Sequence, residues 1–83
     1  RTVSGKVIRV VRRANPPLMI VMTNGARQTF DIGSAVISHR ATSGDQLVEA
    51  TIQDIVAGDD VIIRLDRTGQ VARRIEVTHG TGR

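Results

Sequence analysis

The chain has 83 residues, with twelve basic against eight acidic side chains and a net charge of +4. A chain of this size buries only about 60–65% of the surface its unfolded form exposes, which allows one modest core and argues against a deep catalytic cleft. The absence of cysteine excludes disulfides and thiolate metal sites, and the longest apolar run, Leu18 to Met22, is far below the ~18–20 residues of a membrane-spanning helix.

Eleven of the twelve cations are arginine, and Lys6 is the exception. The planar guanidinium fork suits carboxylates and phosphates alike. Phe30 is the single aromatic residue. The exposed rings on which single-stranded nucleic acid stacks are therefore missing. The chain begins at Arg1 rather than Met, as expected of a processed or excised piece.

In chain order, Val3 to Arg13 predicts a first strand. Val3, Gly5 and Val7 alternate with Ser4 and Lys6, and then Ile8, Val10 and Val11 break the alternation. A β-bulge or a glycine-assisted bend accounts for such a slip. Ala14-Asn15-Pro16-Pro17 is a turn, because consecutive prolines cannot join a central ladder. Leu18 to Thr23 is a second strand, apolar on both faces. Asn24-Gly25 is the strongest short hairpin signal, a type I′ turn with positive φ at both positions. Ala26 to Ile32 returns as a third strand, with Phe30 and Ile32 inward.

Ala35-Val36-Ile37 predicts a short strand, Arg40 to Gln46 a loop, and Val48 to Ala50 an extended piece. Thr51 is an N-cap whose hydroxyl can accept from the Asp54 N–H, and Asp54 suits the positive end of a helix. Ile52, Ile55 and Val56 share one face of a helical turn spanning about residues 52–57, which Gly58 ends. Val61, Ile63 and Leu65 alternate with Ile62, Arg64 and Asp66. Asp66 to Gln70 is a turn. Val71, Arg73, Ile75 and Val77 form one face of the closing strand, with Arg73 snorkelling from the mouth of a barrel. Residues 1–78 read as a single domain and 79–83 as a tail.

Catalytic chemistry finds no constellation. His39 and His79 lack metal-ligand spacing and read as solvated loop and tail positions. Asp59-Asp60 reads as a turn in which Asp accepts local backbone hydrogen bonds. Ser34, Ser38 and Ser43 lack a nucleophile elbow. No catalytic, cofactor-binding or metal-binding residue is assigned. The candidate partner surface consists of Arg9, Arg12, Arg13, Arg64, Arg67 and Arg74. The bland alternative is a solvated arginine face balanced by Asp31, Asp66 and Glu76 through weak surface ion pairs.

Gly5-Lys6-Val7 opening a bent strand, the Asn24-Gly25 hairpin, Ile52-x-x-Ile55-x-x-Gly58-Asp59-x-Val61 and the closing Val71-Ala72-x-x-Ile75-x-Val77 resemble small OB-like β-barrels. They are similar to a family of unassigned function in bacterial secreted and cell-envelope proteins. The resemblance covers most of the chain. It implies an all-β, five- to six-stranded OB-like barrel with one short helical turn, an extracellular or envelope setting, and no catalytic residues. The second half also resembles periplasmic copper- and silver-binding OB proteins, which hold soft metal with Met, His and an aromatic cap. Met19 and Met22 are spaced to opposite faces of a strand and no Trp exists, so core packing is expected of them and no cofactor. The expected function is a non-catalytic structural or interaction module, associating with other subunits or with copies of itself. The alternative is an OB-type nucleic-acid-binding module using an arginine-rich face.

Overall fold

The computed structural model describes residues 1–40 and 46–78. Seven strands run as β1 (Thr2–Val11), β2 (Leu18–Thr23), β3 (Ala26–Asp31), β4 (Val36–Arg40), β5 (Leu47–Ala50), β6 (Asp60–Leu65) and β7 (Ala72–Thr78), with one 3-10 turn at Ile52–Asp54. The expected tail at 79–83 and all but the ends of the expected 40–46 loop lie outside the described residues. Arg40 itself belongs to β4.

Strand β1 organises the sheet. Its first half, Thr2 to Lys6, pairs antiparallel with β6, while Lys6 to Val11 pairs antiparallel with β2. The two ladders overlap only at Lys6. The expected slip is present as an irregularity between Val7 and Arg9, where Ile8 is the extra residue. At the changeover, a Cβ on Gly5 would lie 2.6 Å from Val21 Cγ1 and closer still to the Met22 carbonyl oxygen, so β2 crosses against bare backbone. Asn24 (φ 52°) and Gly25 (φ 78°) make the β2–β3 hairpin as a type I′ sequence demands.

The sheet order is β3-β2-β1-β6-β7-β4-β5. The expected all-β class with one short helical turn is present, while the five or six strands expected of a closed or nearly closed barrel are seven strands in a sheet that does not close. The residues after β3 form their own hairpin, β4–β5, and β4 lies parallel along β7 from Val36↔Arg74 to His39↔Val77. It thereby occupies the edge of β7 that β3 needs for closure. Only the end of β3 reaches β7, through the parallel bridge Asp31↔Val71 and the hydrogen bond from Asp31 N–H to the Gln70 carbonyl (2.9 Å). The result is a curled, open sheet.

The concave face holds one core. Met19, Val21, Phe30, Ile32, Ile55, Val61, Ile63, Ile75 and Val77 are essentially inaccessible. Met19 is in this core, but Met22 faces out, which corrects the core packing expected of both: three residues apart on one strand, they take opposite faces. Thr23, buried among them, donates its hydroxyl to the Ser4 carbonyl at 2.7 Å.

The corner before β6 explains a second correction. Thr51 N–H donates to Asp54 Oδ2 (2.8 Å) and Gln53 N–H to Thr51 Oγ1 (3.3 Å), completing a capping box. The turn nevertheless stops at Asp54 instead of continuing to about 57. The Val56 N–H donates to the Asp59 carboxylate (3.0 Å) rather than to a helical carbonyl. Asp59 is fully buried, its carbonyl accepts from Val7 N–H (2.8 Å), and Gly58 at φ 96° makes the bend. The Asp59 reading as a local backbone acceptor thus holds. Asp60 instead starts β6 and pairs with Lys6 at 3.1 Å.

Candidate functional site

The six arginines proposed as one surface separate into two groups. Arg9 lies exposed on β1 opposite Ile20, and Arg12 and Arg13 sit in the turn that follows. Arg64 lies near the other end of β1, opposite Thr2. Seven strand steps from Thr2 to Arg9 amount to about 23 Å. Arg12 also has a structural task, because its Nη2 donates to the Ile55 carbonyl at 2.8 Å and ties the turn to the corner before β6.

The second group is concentrated. Arg64 on β6 and Arg74 on β7 are direct cross-strand partners on the convex face. The register shifts there, with Arg64 opposite Arg74 and Leu65 opposite Ala72, so Arg73 is the extra residue of a β-bulge. Ala72 and Ile75 are buried while Arg73 and Arg74 between them are both exposed. This corrects the expected face of Val71, Arg73, Ile75 and Val77. Arg73 turns outward because the bulge resets the phase, and Ala72 takes the inward position. Three guanidinium groups therefore leave one small area of the sheet. Arg67 is exposed in the adjoining turn. Arg73 was absent from the expected partner surface, and only the pairing with β6 discloses it.

The carboxylates expected to balance this face are engaged elsewhere. Asp31 Oδ1 accepts from Gly33 N–H (2.9 Å). Glu76 pairs with Arg40. Asp66 Oδ1 accepts from the Thr68 hydroxyl (2.6 Å), the Thr68 N–H (3.1 Å) and the Val71 N–H (3.4 Å). The Thr68 hydroxyl contributes most to holding the Asp66 carboxyl below its ordinary value, and the backbone N–H donors of its turn add to it. Among the described residues, the ion pairs are Lys6–Asp60 and Arg40–Glu76, and neither involves Arg64, Arg73 or Arg74. Directly opposed like charges on a sheet are destabilising, and among the described residues no carboxylate forms an ion pair with Arg64, Arg73 or Arg74 to offset this.

Two exposed aliphatic side chains border the cluster. Val36 on β4, 56% exposed, is the partner of Arg74, and Ile62, 45% exposed, is the next outward residue from Arg64 along β6. Ile62 also lines an open groove of about 500 Å³, together with Ser4, Gly5, Val61, Thr78 and the Lys6–Asp60 pair. At the far end of the sheet, the edge strand β5 presents Leu47 (47% exposed) and Val48 (42%). Its outer edge has no strand partner among the described residues.

His39 is not in a loop: it is a half-buried member of β4, between Val48 and Val77. His79 lies outside the described residues. Among the described residues no three His, Asp or Glu side chains gather as a metal site. Among the described residues no helix is long and apolar enough to cross a membrane. The chain matches no family profile, no curated protein and no solved structure.

Proposed function

We propose that this domain is a non-catalytic interaction module that associates through the open edge of β5, with a second copy of the chain as the occupant. The observation that carries this reading is a strand edge with no strand partner among the described residues, together with exposed Leu47 and Val48. Natural sheets commonly blunt such edges with charge, proline or cover. The other edge, β3, follows that practice with exposed Arg27, Gln28 and Thr29. Strand β5 does not. An antiparallel β5–β5′ contact is two-fold and self-complementary, the commonest form of homo-oligomer interface. The secreted or cell-envelope setting rests on the resemblance carried by Gly5-Lys6-Val7, the Asn24-Gly25 hairpin, the Ile52-to-Val61 segment and the closing Val71-to-Val77 strand.

Four residues of edge make a weak contact, and the net charge of +4 opposes it. Association should therefore strengthen as salt screens that charge, within the ~10 Å Debye length of 0.1 M salt. Light scattering across a concentration series tests the reading. A concentration-dependent dimer that is lost in the Leu47→Lys/Val48→Lys double variant is expected. A strictly monomeric species at millimolar concentration and moderate salt would sink it.

A further inference from the structure

We infer that the Arg64–Arg73–Arg74 cluster is a docking site for an acidic protein segment that also carries an aliphatic side chain. The inference extends the interaction-module reading to a different face and names the chemistry of its partner.

Three observations converge. The bulge at Arg73 gathers three guanidiniums on the convex face, and an isolated sheet gains nothing from opposing Arg64 to Arg74. Neither nearby carboxylate pairs with the cluster: Asp66 accepts from the neutral donors of its own turn, and Glu76 pairs with Arg40. The flanks are aliphatic, with Val36 on one side and Ile62 beside an open groove on the other. Carboxylates take guanidinium forks in a bidentate manner. Arginine with exposed aliphatic neighbours matches the composition of protein interfaces more than that of phosphate tracks. A nucleic-acid partner has no counterpart for Val36 and Ile62, and the one aromatic ring, Phe30, is buried in the core and offers no stacking platform. One turn further, Arg67 extends the same positive surface.

Fluorescence anisotropy with three labelled probes tests the inference: a peptide alternating Glu with Leu, the same peptide with Gln for Glu, and single-stranded DNA of equal formal charge. Assays in the Leu47→Lys/Val48→Lys background exclude the β5 edge, so failure there counts against the arginine cluster and not against self-association. The Glu–Leu peptide should bind best and weaken as salt rises, opposite in sign to the edge contact. Arg64→Gln/Arg73→Gln/Arg74→Gln should weaken it on the order of tenfold or more, and Val36→Ser/Ile62→Ser should weaken it further than it weakens DNA. The triple variant keeps its fold, since it removes like-charge contacts. Independently of any variant, peptide addition should shift the amide resonances of Val36, Ile62, Arg64, Arg73 and Arg74 and leave Arg9 and Arg13 in place. Equal binding of the Gln peptide, tighter binding of DNA, or shifts confined to Arg9 and Arg13 would overturn the inference.

Discussion

Replacing Gly5 by alanine is the sharpest test of how β1 serves two ladders. The added Cβ would lie 2.6 Å from Val21 Cγ1, and nearer still to the Met22 carbonyl oxygen. Carbon atoms rest about 3.5–4.0 Å apart, so β2 must retreat by roughly 1 Å. It cannot do so freely. Met19 and Val21 on the same strand are completely buried, and the Thr23 hydroxyl is bonded to Ser4 at 2.7 Å. Overpacking of this kind costs about 1–3 kcal/mol, and the upper end applies because one opposing atom is backbone. The entropic gain of alanine over glycine offsets only about 0.4–1 kcal/mol. A net loss of about 2 kcal/mol follows, or roughly 8–16 °C in the unfolding midpoint of a domain this size. Thermal and urea denaturation followed by circular dichroism measure it. A variant within 0.5 kcal/mol of the parent, on the ~0.5 kcal/mol scale of ordinary surface changes, would refute the close crossing of β2 over Gly5.

Arg12→Ala should cost about 0.5–1.5 kcal/mol, by removing the hydrogen bond to the Ile55 carbonyl, and leave binding of the Glu–Leu peptide unchanged. A fall in peptide affinity as large as that of the triple variant would return Arg12 to the partner surface. For Asp66, the folded carboxyl titrates below its ordinary value, chiefly through the Thr68 hydroxyl. Its contribution to stability is present above the ordinary carboxylate value and is lost as pH falls through the lower, folded one. Thr68→Val should move the Asp66 titration upward, as followed by carboxyl carbon NMR. An unmoved titration would show that the backbone donors alone set it.

Much of this architecture was legible where the signal is local. Leu18 to Thr23 and the Asn24-Gly25 turn were readable because hairpin chemistry depends on a few adjacent residues. The inward set Val61, Ile63 and Leu65 followed from simple alternation. Thr51 with Asp54 announced its own cap. The misreadings share a cause of longer range. Ala35 to Ile37 and Val48 to Ala50 were readable as extended pieces, but strand β4 is held by parallel pairing with β7, a contact invisible in the Val36–Arg40 segment, so its reach to Arg40 and the open sheet were not. The outward turn of Arg73 depends on how Arg64 and Leu65 meet β7. With Val71 and Ala72 both apolar, either phase satisfied the pattern. The arginine surface was recognised by residue type, but its division into a strap at Arg12 and a cluster at Arg64, Arg73 and Arg74 required the register.

The passage of β1 from one ladder to the other also sets the order in which the domain can form. Its Lys6–Val11 half finds β2 after a short turn, and β3 follows through a tight hairpin. Its Thr2–Lys6 half pairs with Asp60–Arg64, so that ladder waits for nearly the whole domain. Pairings this remote in sequence slow folding, toward the millisecond-to-second range of non-local β topologies. A three-stranded meander formed ahead of that ladder would hold Met19, Val21 and Phe30 on a face that β6 and β7 cover in the native domain. The polar residues Arg27, Gln28 and Thr29 along β3 then guard the edge of an unfinished sheet as well as that of the finished one.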